Sequence, residues 1–288
     1  MADTRRVVLI TGCSPGGIGN ALAREFHAKG LRVLATARTT ETIQDLADIG
    51  IETLNLEVNQ LKSINACKEA VKERTRGGLD YLINNAGRNY TVPAIETDFS
   101  EMEAVFATNL FAVVRMCQTF MPLLRQSRGT IVQIGSVAGC FPFPWSSIYN
   151  ASKAALHSYS ATLRVEVAPL GVHVITVITG GVQSRISRVK RGLQEESAYE
   201  ELADVYAKRQ GFVQNDAMET QEYAQEVVRR VLAAEGWLWR TKSIWLGANA
   251  ARVRWLSWLY PETILDWTVA RMFGFDKALG GKDDDARA

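Results

Sequence analysis

Tyr149 and Lys153 stand four residues apart in Tyr149-Asn150-Ala151-Ser152-Lys153. On a helix, that spacing puts both side chains on one face. A free phenol has a pKa near ~10 and is a poor proton shuttle at neutral pH. An ammonium fixed beside it favours the phenolate and lowers that pKa, and an oxidised nicotinamide would add to the effect. Such a pair can give a proton to a carbonyl oxygen, or take one from a hydroxyl, as hydride moves to or from a cofactor. A surface lysine one turn from a tyrosine has the same spacing, so the surroundings decide its meaning.

Those surroundings begin with Thr11-Gly12-Cys13-Ser14-Pro15-Gly16-Gly17-Ile18-Gly19, between the apolar run 7–10 and a helical pattern. Glycines let a backbone turn tightly against a pyrophosphate, and the helix N-terminus adds free N–H groups and partial positive charge. The second apolar run ends Ala35-Thr36-Ala37-Arg38, with no acidic residue to hold a ribose 2′-hydroxyl. Arg38 could instead pair with a 2′-phosphate, which favours NADP(H) over NAD(H); a solvated surface arginine is the alternative. Gly12-Cys13-Ser14-Pro15-Gly16 also satisfies the GxSxG nucleophile elbow of serine hydrolases. That remote alternative needs a histidine delivered to Ser14. His27 lies in the first helical stretch, His157 one turn beyond Lys153, and His173 at the start of a strand.

The elements that position these residues follow from hydrophobic runs. Strands are expected over 7–10, 32–37, 51–56, 81–84, 130–134, 172–178 and 243–245. Helices are expected over 19–29, 40–49, 61–74, 100–126, 147–168 and 221–235. Continuous apolar strands alternating with helices imply a parallel sheet covered on both faces. The fold class is α/β, a doubly wound Rossmann fold with about seven parallel strands and a helical C-terminal extension. Asn84-Asn85-Ala86-Gly87 then closes the fourth strand and Ser136 the fifth, at the strand ends where such sheets bind ligands. The chain divides into a catalytic domain over 1–248 and an extension over 249–288 whose last residues, 282–288, are expected to be disordered.

Composition narrows the classes. The 288 residues are 47% hydrophobic and 22% charged, with a net charge of +2, too little for a nucleic-acid-binding face. Four separated cysteines without a CxxC pair argue against a disulfide framework or a zinc site and fit a reducing, cytoplasmic compartment. No metal site is expected. The run 104–124 is broken by Asn109, Arg115 and Gln118 and reads as a core helix, so no transmembrane span is expected.

Taken together, TGxxxGIG-like, NNAG, Asn, Ser and YxxxK motifs in this order resemble the short-chain dehydrogenase/reductase family over about residues 5–250. The resemblance implies Ser136 as the hydrogen-bond donor to the substrate oxygen and Tyr149 as the acid/base. It implies Lys153 as the group that lowers the tyrosine pKa and holds the nicotinamide ribose, and Asn109 as the holder of a water in the proton relay. For the cofactor it implies Gly12, Ser14, Gly17, Ile18 and Gly19 at the phosphates, with Glu57, Val58, Asn85 and Gly87 on the adenine side. Gly180, Val182 and Ser184 follow near the nicotinamide, and a homodimer or homotetramer forms through the helix at 100–126. The sequence departs from the family in having four residues between Gly12 and Gly17 instead of three. It also lacks the usual Pro after the sixth strand, which is expected to loosen that loop. Within the family it most resembles fungal NADPH-dependent reductases of 1-acyldihydroxyacetone phosphate. The expected activity is reduction of a ketone on a bulky apolar or acyl substrate. A secondary-metabolite or steroid-like ketoreductase is the first alternative, and a cofactor binder without turnover is the second.

Two regions depart from the alternating rhythm. Residues 183–220 interleave apolar Ile186, Val189, Leu193, Leu202, Val205, Tyr206 and Phe212 with Arg185, Arg188, Lys190, Arg191, Lys208 and Arg209. They are expected to form a substrate lid, and Phe141-Pro142-Phe143-Pro144-Trp145 is expected to border the same substrate. Six of the seven tryptophans lie in the last 52 residues. The tail is expected as two helices parted by Pro261, with Ala251, Trp255, Trp258 and Leu259 on one face. That face is expected to pack within the protein or oligomer, or to touch a membrane or lipid-droplet surface, placing the protein peripherally on the endoplasmic reticulum or droplets.

Overall fold

The computed structural model describes residues 3–211, 217–234, 241–259 and 262–275. Seven strands form one sheet: β1 (Val7–Ile10), β2 (Arg32–Ala37), β3 (Glu52–Asn55), β4 (Tyr81–Asn84), β5 (Thr130–Ile134), β6 (His173–Thr179) and β7 (Ser243–Leu246). Their order is β3-β2-β1-β4-β5-β6-β7, and every adjacent pair is parallel. The helices are α1 (Ile18–Ala28), α2 (Gln44–Ala47), α3 (Leu61–Thr75), α4 (Phe99–Phe106), α5 (Ala112–Ser127), α6 (Ser147–Val167), α7 (Ala203–Gly211), α8 (Thr220–Ala233), α9 (Ala250–Leu259) and α10 (Glu262–Met272).

Strand alternation builds two cores. Val8, Ile10, Val33, Val132 and Val177 meet α1 and α8 through Leu22, Phe26, Val227 and Val231. Val7, Leu9, Leu34, Leu82 and Val174 face the other way, onto Ile64 of α3, Phe120 of α5 and Leu156 of α6. The strand order reverses between β1 and β4, and a crevice opens there at the C-terminal strand ends.

Three local departures from the expected elements have physical causes. The stretch 40–49 is a 3-10 turn (Thr40–Ile43) running into the single-turn α2. There the Thr40 amide donates to Asn55 Oδ1 and the Thr42 hydroxyl to the Thr39 carbonyl, contacts that compete with a regular helix. The expected helix over 100–126 is interrupted by a π turn at Ala107–Phe111, with Asn109 buried at its centre. By length and composition the span Phe99–Ser127 could cross a membrane, but Val113, Met116, Phe120 and Leu124 of α5 are packed into the core. The tail forms two helices, with Ala251 and Trp255 exposed. Its inward face is instead Ala250, Val253 and Leu256, packed with Val269 of α10 and with Phe273 just after it onto Val137, Phe141 and Ile178. An i, i+3 stripe of smaller residues brings α9 closer to the body than a tryptophan face would. Trp255 and Trp267 stay exposed at 60% and 62%. Trp237, Trp239, Pro261 and residues 282–288 lie outside the described residues, as do the side chains of Trp258 and Leu259.

Candidate active site

The glycine loop is tied to the end of β4. Thr11 Oγ1 accepts the amides of Asn85 and Ala86 at 3.0 and 2.9 Å. Asn85 Nδ2 donates to the carbonyls of Thr11 and Gly12 at 2.8 and 3.0 Å. Gly12 turns with φ +73°, which favours glycine. A Cβ at Gly19 would sit 2.5 Å from both Asn85 Nδ2 and the Gly12 carbonyl oxygen, so close packing dictates that glycine too. Gly17, before α1, brings no side-chain cap, so the first amides of the helix are free for an anion.

Above these turns lies a cavity of about 1440 Å³. Gly12, Ser14, Gly17 and Ile18 line it, together with Arg38, Glu57 and Val58. Asn85 and Gly87 border it, as do Gly180, Val182 and Ser184, and so do Ser136, Tyr149 and Lys153. Gly19 and Asn109 are set behind the lining. Arg38 is exposed at the end of β2 with no acidic neighbour in that strand. The Glu57 carboxylate folds back to accept the Asn59 amide at 3.1 Å. Leu56, Asn59, Arg88 and Thr108 also line the cavity and had no motif to announce them.

The loop after β6 is held more firmly than its missing proline suggests. Gly181 bridges Ala248 and Val182 bridges Met218, while the Gly180 amide donates to the Leu246 carbonyl at 2.8 Å. A Cβ at Gly180 would come within 2.3 Å of the Ala248 carbonyl oxygen, so backbone contact replaces proline stiffness.

Three groups converge at the head of α6. Lys153 is buried, and its Nζ donates to the Ile134 carbonyl at 2.9 Å and lies 5.9 Å from the Tyr149 ring centre. Burial lowers its pKa to about 8. Burial pushes the Tyr149 phenol above its usual value, and a hydrogen bond with Ser136 only partly offsets this. The expected lowering is thus reversed among the protein's own groups, because desolvation of the phenolate outweighs its neighbours. Tyr149 is therefore held as a neutral acid at pH 7.

Asn109 braces this group from behind. Its Oδ1 accepts the Arg88 amide at 2.9 Å, and its Nδ2 donates to the Arg88 carbonyl and Ser152 Oγ, each at 3.0 Å. The π turn tips it toward the β4 loop. That carboxamide therefore positions the Arg88 peptide and the start of α6.

His157, by its place in the sequence only a poor triad candidate, sits beside Ser136. Its Nε2 accepts the Ser136 amide at 3.2 Å, and its Nδ1 lies 3.6 Å from Cys140 Sγ. A Cβ at Gly135 or Gly139 would lie 2.4 or 2.6 Å from the ring, so both glycines make room for it. The signal was two glycines flanking Ser136 and a histidine one turn after Lys153. Burial, then the charge of Lys153, lowers the His157 pKa to about 4. An unfolded histidine titrates near ~6.5. Between those values the unfolded chain binds the extra proton, so stability is lost as pH falls, by about 3 kcal/mol in all. Urea unfolding near pH ~7 and ~4.5 checks this. His157→Gln, which keeps an acceptor for Ser136, is expected to lose much less stability over that interval. An equal loss in both proteins would assign the acid sensitivity elsewhere.

The 183–220 lid docks on the loop before α4. Tyr206 donates to the carbonyls of Thr91 and Arg191 at 3.0 and 2.9 Å, and Arg191 pairs with Glu101 at 2.7 Å. Trp145 packs edge-on to Tyr199 and Tyr206. Phe141 and Phe143 line the cavity, giving it an aromatic border. Phe212 lies outside the described residues.

A family model described as short chain dehydrogenase matches residues 6–195. The chain is 44% identical over 213 residues to the NADPH-dependent 1-acyldihydroxyacetone phosphate reductase of Schizosaccharomyces pombe, covering 74% of this chain and 72% of the relative. It is 41% identical over 272 residues to a short-chain dehydrogenase of Penicillium ochrochloron, covering 94% and 98%. A crystal structure of a short-chain dehydrogenase from Streptomyces avermitilis superposes with a TM-score of 0.76 at 29% identity, covering 98% of this chain and all of that one.

Proposed function

The chain belongs to the short-chain dehydrogenase family, and from that premise we propose that it reduces a ketone on a bulky apolar or acyl substrate to a secondary alcohol, using NADPH. The observation that carries this reading is the convergence of Ser136, Tyr149 and Lys153 on one cavity with the glycine loop. The glycine loop fits the cofactor: Gly12 has a left-handed φ, and the start of α1 is uncapped. Bound NADPH supplies the hydride.

Ser136 donates its hydroxyl to the carbonyl oxygen and Tyr149 delivers the proton, a task suited to a phenol held neutral by burial. Lys153 stabilises the phenolate left behind and orients the ribose. Asn109 fixes the Arg88 peptide and, through Ser152, the first turns of α6. His157 holds the Ser136 backbone.

Arg38, on the cavity lining at the end of β2, takes the cofactor 2′-phosphate. A charge-assisted contact of this kind is worth about 1.5–3 kcal/mol, or roughly 10- to 100-fold. Arg38→Asp is expected to lower kcat/KM for NADPH by at least that factor and to bring NADH level with it or ahead. An unchanged NADPH/NADH ratio would remove Arg38 from the site. The ketone we favour is an acyl-dihydroxyacetone phosphate, supported by the relative of that activity and by the mixed aromatic and cationic border. The exposed Phe111 and Val165 favour a homo-oligomer, which a monomer mass in light scattering would refute.

A further inference from the structure

Among the described residues, Arg209 of α7 is a buried cation without a counter-ion. It is 7% exposed and lines the cavity. Its Nη2 donates to Ser146 Oγ at 3.0 Å, while its Nε is buried with no partner. The guanidinium carbon lies 5.5 Å from the Phe143 ring centre and 5.8 Å from that of Phe273. No carboxylate among the described residues pairs with it. Burial alone lowers its pKa, to about 10. A desolvated charge left unpaired is costly, and most such groups in native proteins have a partner.

Its hydrogen bond to Ser146 places it. Ser146 immediately precedes α6 and gives that helix no side-chain cap. The first amides of a 21-residue helix therefore lack a side-chain acceptor at the end where the guanidinium docks. A helix N-terminus carries about half a positive charge, so a bare cation there meets repulsion. Both features are relieved by one occupant, an anion. The other cavity arginines are differently disposed: Arg88 and Arg191 share Glu101 at 2.8 and 2.7 Å, Arg185 donates to the Pro15 carbonyl and Arg252 to Asn249 Oδ1, and Arg38 and Arg188 are exposed. Tyr149 lies in the first turn of α6, so the anion would sit close to the reacting carbonyl.

We propose that Arg209 and the N-terminal end of α6 form a subsite for an oxyanion carried by the ketone substrate, a carboxylate or a phosphate monoester. The subsite rests on the reading of Tyr149 as the acid of a ketone reductase. It selects substrates by charge within one turn of the chemistry, while Phe143 and Phe273 on the guanidinium faces keep the contact dry.

The test compares kcat/KM with NADPH for two matched pairs: an acyl-dihydroxyacetone phosphate against its dephosphorylated form, and a long-chain γ-keto acid against its methyl ester. The wild type is expected to prefer the charged member of at least one pair by about 10-fold or more. The pair that shows it tells phosphate from carboxylate. Arg209→Met is expected to remove that preference mainly through KM, and Arg209→Lys to keep part of it. No preference in either pair, or an undiminished preference in Arg209→Met, overturns the subsite. If Arg209→Met fails to fold, as circular dichroism would show, the wild-type preference and the Arg209→Lys ratio decide. Tyr149→Phe separates the two readings. If it still turns over these substrates, the proposed chemistry fails, while the charge preference remains readable.

Discussion

Tyr149→Phe lowers kcat for ketone reduction by about 10²- to 10⁴-fold, the usual worth of a positioned general acid, with a far smaller change in the Kd for NADPH. The substitution removes one oxygen and keeps the ring, so packing at the head of α6 survives. It removes the only phenol among Ser136, Tyr149 and Lys153. Ser136 cannot replace it. The Ser136 Oγ accepts the Ala138 amide at 3.1 Å and is held for one geometry, and an alkoxide there has no adjacent base to stabilise it. Burial keeps the wild-type phenol protonated, so the loss is expected in the reduction direction at every pH near neutrality. Single-turnover kinetics check this by separating chemistry from cofactor binding. A kcat within a few-fold of wild type would show that the proton comes from elsewhere.

Lys153→Met carries the second large effect, expected as about a 10²-fold or greater fall in kcat. The ammonium lies 5.9 Å from the centre of the Tyr149 ring, where it favours the phenolate that forms when Tyr149 gives up its proton. Its pKa of about 8 makes the contribution pH-dependent. Wild-type kcat/KM for reduction is expected to fall as pH rises through about 8, and the variant should lack that step. Stability moves in the opposite sense. An unfolded lysine titrates near ~10.4, so between about 8 and that value the unfolded chain binds more protons than the native one. Stability therefore rises with pH across that window, and below it the buried charge costs about 3 kcal/mol. The variant loses that slope. A residue that costs stability and whose loss costs rate is retained for chemistry. A variant with a flat stability profile but an unchanged rate profile would confine Lys153 to a structural role.

The sheet was legible because buried parallel strands read as short β-branched runs. Val7–Ile10, Arg32–Ala37 and Tyr81–Asn84 coincide with their expected bounds to the residue. The glycine loop, Asn85 and the Tyr149/Lys153 pair were legible because each sits where an apolar pattern switches from strand to helix. What was hidden depends on partners far along the chain. The π turn at Asn109 leaves no mark in hydrophobic spacing, and the Arg88 peptide that Asn109 holds lies 21 residues away along the chain. Arg209 looked like one of several lid cations, and only burial against Phe143 and Phe273 sets it apart. His157 looked like an ordinary helix residue until Gly135 and Gly139 were seen making room for it. The inward face of the tail was hidden because tryptophan outweighs alanine and valine on any hydrophobicity count. Docking onto Phe141 and Ile178 instead rewards close approach by small residues.

The central claim is that Tyr149 protonates a carbonyl while hydride arrives from NADPH bound along the glycine loop. The most direct measurement supplies NADPH deuterated on the nicotinamide carbon that gives up hydride, together with an acyl-dihydroxyacetone phosphate, and follows the product by mass spectrometry. One deuterium on the carbinol carbon of the alcohol, formed by the wild type and at least 10²-fold more slowly by Tyr149→Phe, is the predicted result. An alcohol without deuterium, or equal rates of label transfer by the two proteins, would contradict it.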